Sequence, residues 1–114
     1  MSNEKSIPND SFCVEETTIA EVHNAMRTGE TTASSLVAKY TARIEAYDQK
    51  GPHINCIVNY NEQASQRAEE LDTAFRETGE FVGPLHGIPI LVKDCIETAD
   101  IATTFGNETF AEYR

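Results

Sequence analysis

The sequence predicts an α/β fold, and its apolar pattern carries that prediction. Apolar residues recur at helical spacing in three successive stretches, and two short β-branched runs stand between and after them. The second of these runs, residues 88–92, is apolar on both faces, which suits a strand covered by helices on either side.

The elements follow in order. Residues 1–16 mix Ser, Asn, Asp, Glu and Pro8 around scattered apolar positions, which bury too little area to offset ordering entropy, so a mobile tail is expected, with one domain over 17–114. Thr18 and Glu21 have the Thr-x-x-Glu spacing that satisfies two backbone N–H groups at a helix start. Ile19, Val22 and Met26 then recur at steps of three and four, and Gly29 stands where a left-handed cap ends the helix. Thr32 offers a second N-cap, and Ala33, Leu36, Val37, Tyr40, Ile44 and Tyr47 line one stripe until Gly51-Pro52. Residues 54–60, with Ile54, Cys56, Ile57, Val58 and Tyr60, predict a strand in which Cys56 is core. Asn61 is expected to cap a third helix, with Ala64, Ala68, Leu71 and Phe75 on its buried face, a solvated face bearing Arg67, Glu69, Glu70 and Glu77, and Gly79 at its end. After residues 88–92, the segment 95–114 lacks periodicity and reads as loop. A strand buried on both faces needs neighbours that two strands cannot supply, so the chain is expected to be part of a larger fold.

Composition excludes several classes of function. With 114 residues, 19 Asp+Glu against 9 Lys+Arg and a net charge of -10, the chain lacks the basic cluster that displaces counterions from nucleic acid. Cys13, Cys56 and Cys95 are odd in number and form no Cys-x-x-Cys pair, which argues against a disulfide framework or a zinc ribbon. His23, His53 and His86 are dispersed without metal-ligand spacing. No apolar run approaches the length of a membrane span, and the polar start lacks the layout of a secretory signal, so a cytoplasmic protein without a membrane partner is expected.

Lys93 is the sharpest candidate for chemistry. It is the first charged residue after the apolar run and would sit at the carboxyl end of a strand, where ligand crevices form in open α/β sheets. If buried there, its ammonium is disfavoured and the lysine becomes a base. The alternative is a lysine whose stem lies along the sheet while its ammonium reaches water. Asp94 points to the opposite face of an ideal strand and need not be its partner.

The run Gly83-Pro84-Leu85-His86-Gly87-Ile88-Pro89-Ile90-Leu91-Val92-Lys93-Asp94, followed by Thr103-Thr104-Phe105-Gly106, resembles the amino-terminal motif of the amidase signature family. The upstream order of two helices, a strand and an Ala-rich helix is similar to the start of that family's domain, so the resemblance spans residues 17–114 but only the opening part of such a domain. It implies a mixed sheet enclosed by helices and hydrolysis of small-molecule amides by a Ser, cis-Ser, Lys triad, without a cofactor. It further implies that Lys93 is the base, taking a proton from a bridging serine that activates the attacking serine. Both serines belong to later parts of the family's domain, so these 114 residues are expected to be inactive alone.

Among the serines present, Ser34-Ser35 sits in a first helical turn and is explained by turn chemistry. Cys95 stands where many relatives carry Asn, which puts polar support of Lys93 from that position in doubt. His86 reads as fixing the turn into the strand, and Gly83, Gly87 and Pro89 as shaping the backbone. Two other readings stand beside the amidase. One is the start of an enzyme like the A-subunit of glutamyl-tRNA(Gln) amidotransferase, which shares the motif. The other is a small non-catalytic α/β interaction module. Substrate identity and oligomeric state are not encoded in this stretch.

Overall fold

The computed structural model describes residues 10–114. Helix α1, Ile19–Thr28, starts at Thr18 as a full capping box: the Thr18 hydroxyl accepts from the Glu21 N–H at 3.1 Å, and Glu21 accepts from the Thr18 N–H at 2.8 Å. The Glu21 carboxyl is held below its ordinary value first by that backbone N–H and then by the hydroxyls of Thr17 and Thr18. Gly29, at φ 79°, ends the helix in the left-handed conformation that glycine adopts without a Cβ penalty.

Helix α2, Ala33–Arg43, is capped twice. Thr32 accepts from the Ser35 N–H at 3.1 Å, and Asp72, far along the chain, accepts from the N–H groups of Ala33 and Ser34 at 2.7 and 3.0 Å. The Ser34 hydroxyl also donates to Asp72 at 2.7 Å, so Ser34 serves the helix end, as turn chemistry predicts. The apolar stripe runs on past Arg43, but the backbone widens into a π-helix, Ile44–Gln49. Gly51, at φ 54°, then turns the chain; a Cβ there would stand 2.6 Å from the Ala46 carbonyl oxygen.

Helix α3, Ala64–Thr78, begins at Gln63 rather than Asn61. Asn61 instead folds an Asx turn ahead of it: its side-chain oxygen accepts from the Gln63 N–H at 3.0 Å and its carbonyl from Ala64 at 3.1 Å. Gly79 closes α3 at φ 70°. The three helices share one core of Val22, Met26, Ala33, Leu36 and Ala68, onto which Phe12, Val14, Val37, Tyr40, Leu71, Phe81 and Ile88 pack.

Neither expected strand forms among the described residues. A strand exists through its ladder, and no partner is present for either segment. Residues 54–57 send their N–H groups back to the end of the π-helix, Ile54 to the Tyr47 carbonyl and Asn55 to the Asp48 carbonyl, while His53 and Asn55 take φ of 53° and 56°, outside the strand region. Cys56, expected in the core, is exposed as a result. Residues 88–92 lack a ladder donor at Pro89, and Ile90, Leu91 and Val92 are 60%, 76% and 48% exposed.

Of the expected tail, residues 1–9 lie outside the described residues. Residues 10–16 run against the helices, with Phe12 and Val14 on the core and Asp10 receiving bonds from Thr31, Ser35 and Lys39. Burial pushes the Asp10 carboxyl up, but the bonds from Lys39, Ser35 and Thr31 outweigh it and leave the group below its ordinary value. No helix among the described residues is long and apolar enough to cross a membrane.

Candidate functional site

The stretch 83–94 is moored at one end and open at the other. His86 builds the mooring: its N–H donates to the Gly83 carbonyl at 3.1 Å, and its Nδ1 accepts from the Val82 N–H at 3.1 Å, which leaves the ring proton on Nε2. The ring is buried beside Phe81 and Phe75, with centroids 5.0 and 6.1 Å away. Burial first, and then the nearby His23, hold its basicity below the ordinary histidine value. His86 therefore fixes the turn, as the sequence predicts. Gly87, at φ 68°, lies on Met26 and Ala33, and a Cβ there would be 2.8 and 2.9 Å from their side chains. Only glycine lets the chain pass that close in that conformation.

Lys93 stands at the far end of the exposed apolar segment and is itself exposed. Its carbonyl accepts from the Ile96 N–H at 2.9 Å, closing a turn. Among the described residues, no hydrogen bond or ion pair engages its ammonium.

Asp94, set aside in the sequence, organises the loop beyond. Its carboxylate accepts from the Thr104 N–H at 2.7 Å, from the Thr104 hydroxyl, and from the Gly106 N–H at 3.2 Å. Its own carbonyl accepts from the Phe105 N–H at 3.0 Å. The Thr104 hydroxyl, then the Thr104 N–H, hold the carboxyl below its ordinary value. Thr103 and Thr104 are buried, and Thr103 is tied to Tyr113 through its N–H and to Ile96 through its hydroxyl. The motif halves 83–94 and 103–106 thus meet at Asp94.

Asp48 does comparable work at the end of the π-helix. Its carboxylate accepts from the N–H groups of Cys56 and Ile57 at 2.7 and 3.2 Å. The nearby Cys56 thiol, then these N–H groups and the Gln49 amide, hold its pKa down to about 2, and the carboxylate pushes the thiol up in turn. A local signal for these carboxylates is faint, because, apart from the adjacent Gln49 amide on Asp48, their donors lie eight or more residues along the chain. Cys95 is exposed near Lys93.

A cleft of about 350 Å³ opens between the end of α1, the start of α2 and α3, bordered by Met26, Arg27, Asp72, Phe75, Arg76 and His86. Lys93 does not line it, so this cleft and the strongest candidate for chemistry are separate.

An Amidase family model matches residues 35–114. The chain is 34% identical over 98 residues to an amidase of Gibberella zeae, covering 85% of this chain and 17% of that protein. It is 34% identical over 97 residues to the A-subunit of glutamyl-tRNA(Gln) amidotransferase from Chloroflexus aggregans, covering 85% of this chain and 19% of that protein. The structure of native peptide amidase from Stenotrophomonas maltophilia superposes with a TM-score of 0.82 at 37% identity, over 88% of this chain and 20% of that one. The chain thus spans less than a fifth of the length of these curated relatives.

Proposed function

The chain belongs to the amidase family, and from that membership we propose that it serves the hydrolysis of carbon–nitrogen amide bonds in small molecules, with Lys93 as the general base. The observation that carries this reading is the contrast at the end of the motif. Asp94 is committed to four hydrogen bonds, whereas the Lys93 amine beside it has no partner among the described residues.

In the proposed step, the neutral Lys93 amine takes the proton of a bridging serine. That serine takes the proton of a second serine, whose oxygen attacks the amide carbon. The nitrogen leaves with the returned proton, and water then releases the acid. Both serines and the enclosure of Lys93 come from a part of the fold outside residues 1–114. On this reading the exposed residues 88–92 take ladder partners in the whole fold. The three free cysteines suit a reducing, cytoplasmic setting.

Similarity to the amidotransferase favours a second reading, in which the amide is glutamine and the ammonia goes to an acceptor.

The test is turnover by the full-length protein of acetamide, hexanamide, benzamide and glutamine, with Lys93→Ala and Lys93→Arg beside it after both are shown to fold. Both variants are expected to lose activity equally, because arginine keeps its proton. A Lys93→Arg rate above about a tenth of the parent, a loss under about 1.4 kcal/mol of barrier, overturns the proton-transfer role.

A further inference from the structure

We propose that Asp94 is a positioning residue for Lys93: it clamps the loop 103–106 onto the backbone that bears the lysine and thereby fixes the direction of its amine. The inference rests on reading Lys93 as the base.

The geometry is specific to a carboxylate. Three donors, the Thr104 N–H, the Thr104 hydroxyl and the Gly106 N–H, converge on its two oxygens, and the intervening Phe105 N–H reaches the Asp94 carbonyl. An ionised carboxylate only accepts, so it can meet all three. An Asn in its place turns an NH₂ toward donors and leaves at least one of them unpaired.

The loop also needs the clamp. Phe105 and Gly106 take φ of 55° and 71° in succession, which turns their N–H groups to one concave side. That conformation is unfavourable for a bulky residue such as Phe105 and persists only where surrounding bonds over-determine it. The carboxyl is held below its ordinary value by the same bonds, so the clamp stays ionised across the neutral range.

On the other side of Lys93, the Ile96 N–H bonds to the Lys93 carbonyl, and the Thr103 hydroxyl bonds to the Ile96 carbonyl. The Lys93 backbone is therefore held both through its own carbonyl and through its neighbour's side chain. Among the described residues its amine, by contrast, has only that backbone to set its direction. Proton transfer is sensitive to direction, and displacement of the order of an ångström costs up to about a hundredfold in rate.

The experiment is steady-state kinetics of the full-length protein on whichever amide of the panel above it turns over fastest, for Asp94→Asn, Thr104→Val, the double variant and Lys93→Ala. Hydrogen exchange of residues 104–106 and thermal stability are followed in parallel. Asp94→Asn is expected to lower the plateau of kcat by about tenfold to a hundredfold. KM should stay within about twofold, the acid limb of the rate–pH profile should stay in place, and exchange at 104–106 should quicken.

Thr104→Val keeps the carboxylate and the side-chain shape. It should lower kcat in the same direction by less, and the double variant should be no worse than Asp94→Asn, since the two residues share one interaction. Should Asp94→Asn fail to fold, Thr104→Val decides: unchanged kcat with quickened exchange overturns the proposal. It is also overturned if Asp94→Asn keeps kcat within about twofold of the parent while Lys93→Ala is inactive, an outcome that leaves the base in place. An acid limb that moves while the plateau stays shows that Asp94 acts by charge and not by position, which also overturns it. Activity retained by Lys93→Ala, or a parent that turns over no amide of the panel, removes the reading of Lys93 and this inference with it.

Discussion

The Nε2 of His23 donates to the carbonyl oxygen of His86 at 2.9 Å, joining residues 63 positions apart in the chain. Both side chains are buried, and the His23 ring lies 4.4 Å, centroid to centroid, from Phe81, which also packs on His86. Helix α1 is thereby fastened to the turn that opens the family motif. The bond goes to a backbone carbonyl, so it constrains the path of the chain and leaves the His86 ring free to hold Val82.

Replacing His23 with Leu keeps the apolar contact and leaves the buried His86 carbonyl without its donor, so stability is expected to fall by about 1–3 kcal/mol. His23→Gln, whose amide nitrogen can reach where Nε2 stood, should recover most of that loss. Urea unfolding of the three proteins checks this. Equal stability of Leu and parent would show that the bond contributes nothing.

Stability should also depend on pH through His86. Unfolded, the ring takes a proton near its ordinary value of 6.5; folded, burial and then His23 hold its affinity lower, with Arg67 adding to that effect and Asp72 opposing it. The contribution is complete above 6.5 and is lost as pH falls from there through the lower folded value. Protonation of Nδ1 would also remove the acceptor for the Val82 N–H. Melting temperature is expected to drop as pH falls below 6.5, and the drop should flatten in His86→Asn, whose side-chain oxygen can still accept from Val82.

Gly87 and Gly106 give a matched pair. Both have positive φ, but a Cβ on Gly87 collides with Met26 and Ala33, whereas one on Gly106 has nothing within 4 Å. Gly106→Ala should cost only the left-handed conformation, about 1–2 kcal/mol. Gly87→Ala should cost that plus overpacking, about 2–5 kcal/mol in all. Equilibrium denaturation measures the difference, and equal costs would mean that the contact with α1 and α2 yields freely.

Asp48 predicts an acid-specific effect. Its carboxyl remains ionised down to about 2 when folded against 3.8 when not, so its contribution is complete above 3.8 and is lost between those values. Asp48→Asn should be less stable than the parent at neutral pH, and the gap should close as pH falls through that window. Circular dichroism of both proteins during acid titration reads the gap directly. A constant gap would place the effect in packing and not in charge.

The local features of this chain were legible in its sequence. Thr18 with Glu21, Thr32, Gly29 and Gly79 mark helix ends because capping is settled within a few residues. The turn at His86 was legible as part of a motif. What failed to read out depends on residues far away or on chain beyond these positions. Residues 54–60 and 88–92 have strand composition, yet a strand needs a ladder, and none is present here. Asn61 moved from cap to Asx turn because its side chain bonds Gln63, one turn early. Asp10, Asp48, Asp72 and Asp94 look like ordinary acids among 19, and only the folded chain shows which backbone N–H groups and hydroxyls they collect.

The place of Gly87 also sets an order in time. During synthesis α1 and the start of α2 leave the ribosome long before residues 86–88 are made, and their internal bonds can close at once because those bonds are local. The surface of Met26 and Ala33 on which Gly87 will rest stays bare until then, as does the ring proton of His23. Nascent chains that stop before residue 86 therefore lack the contacts by which Gly87 and the His86 carbonyl join α1 to α2. Arrival of the His86-Gly87 pair is the event that commits them to one arrangement, so slow codons placed just upstream would lengthen the interval in which proteases and chaperones meet the half-finished core.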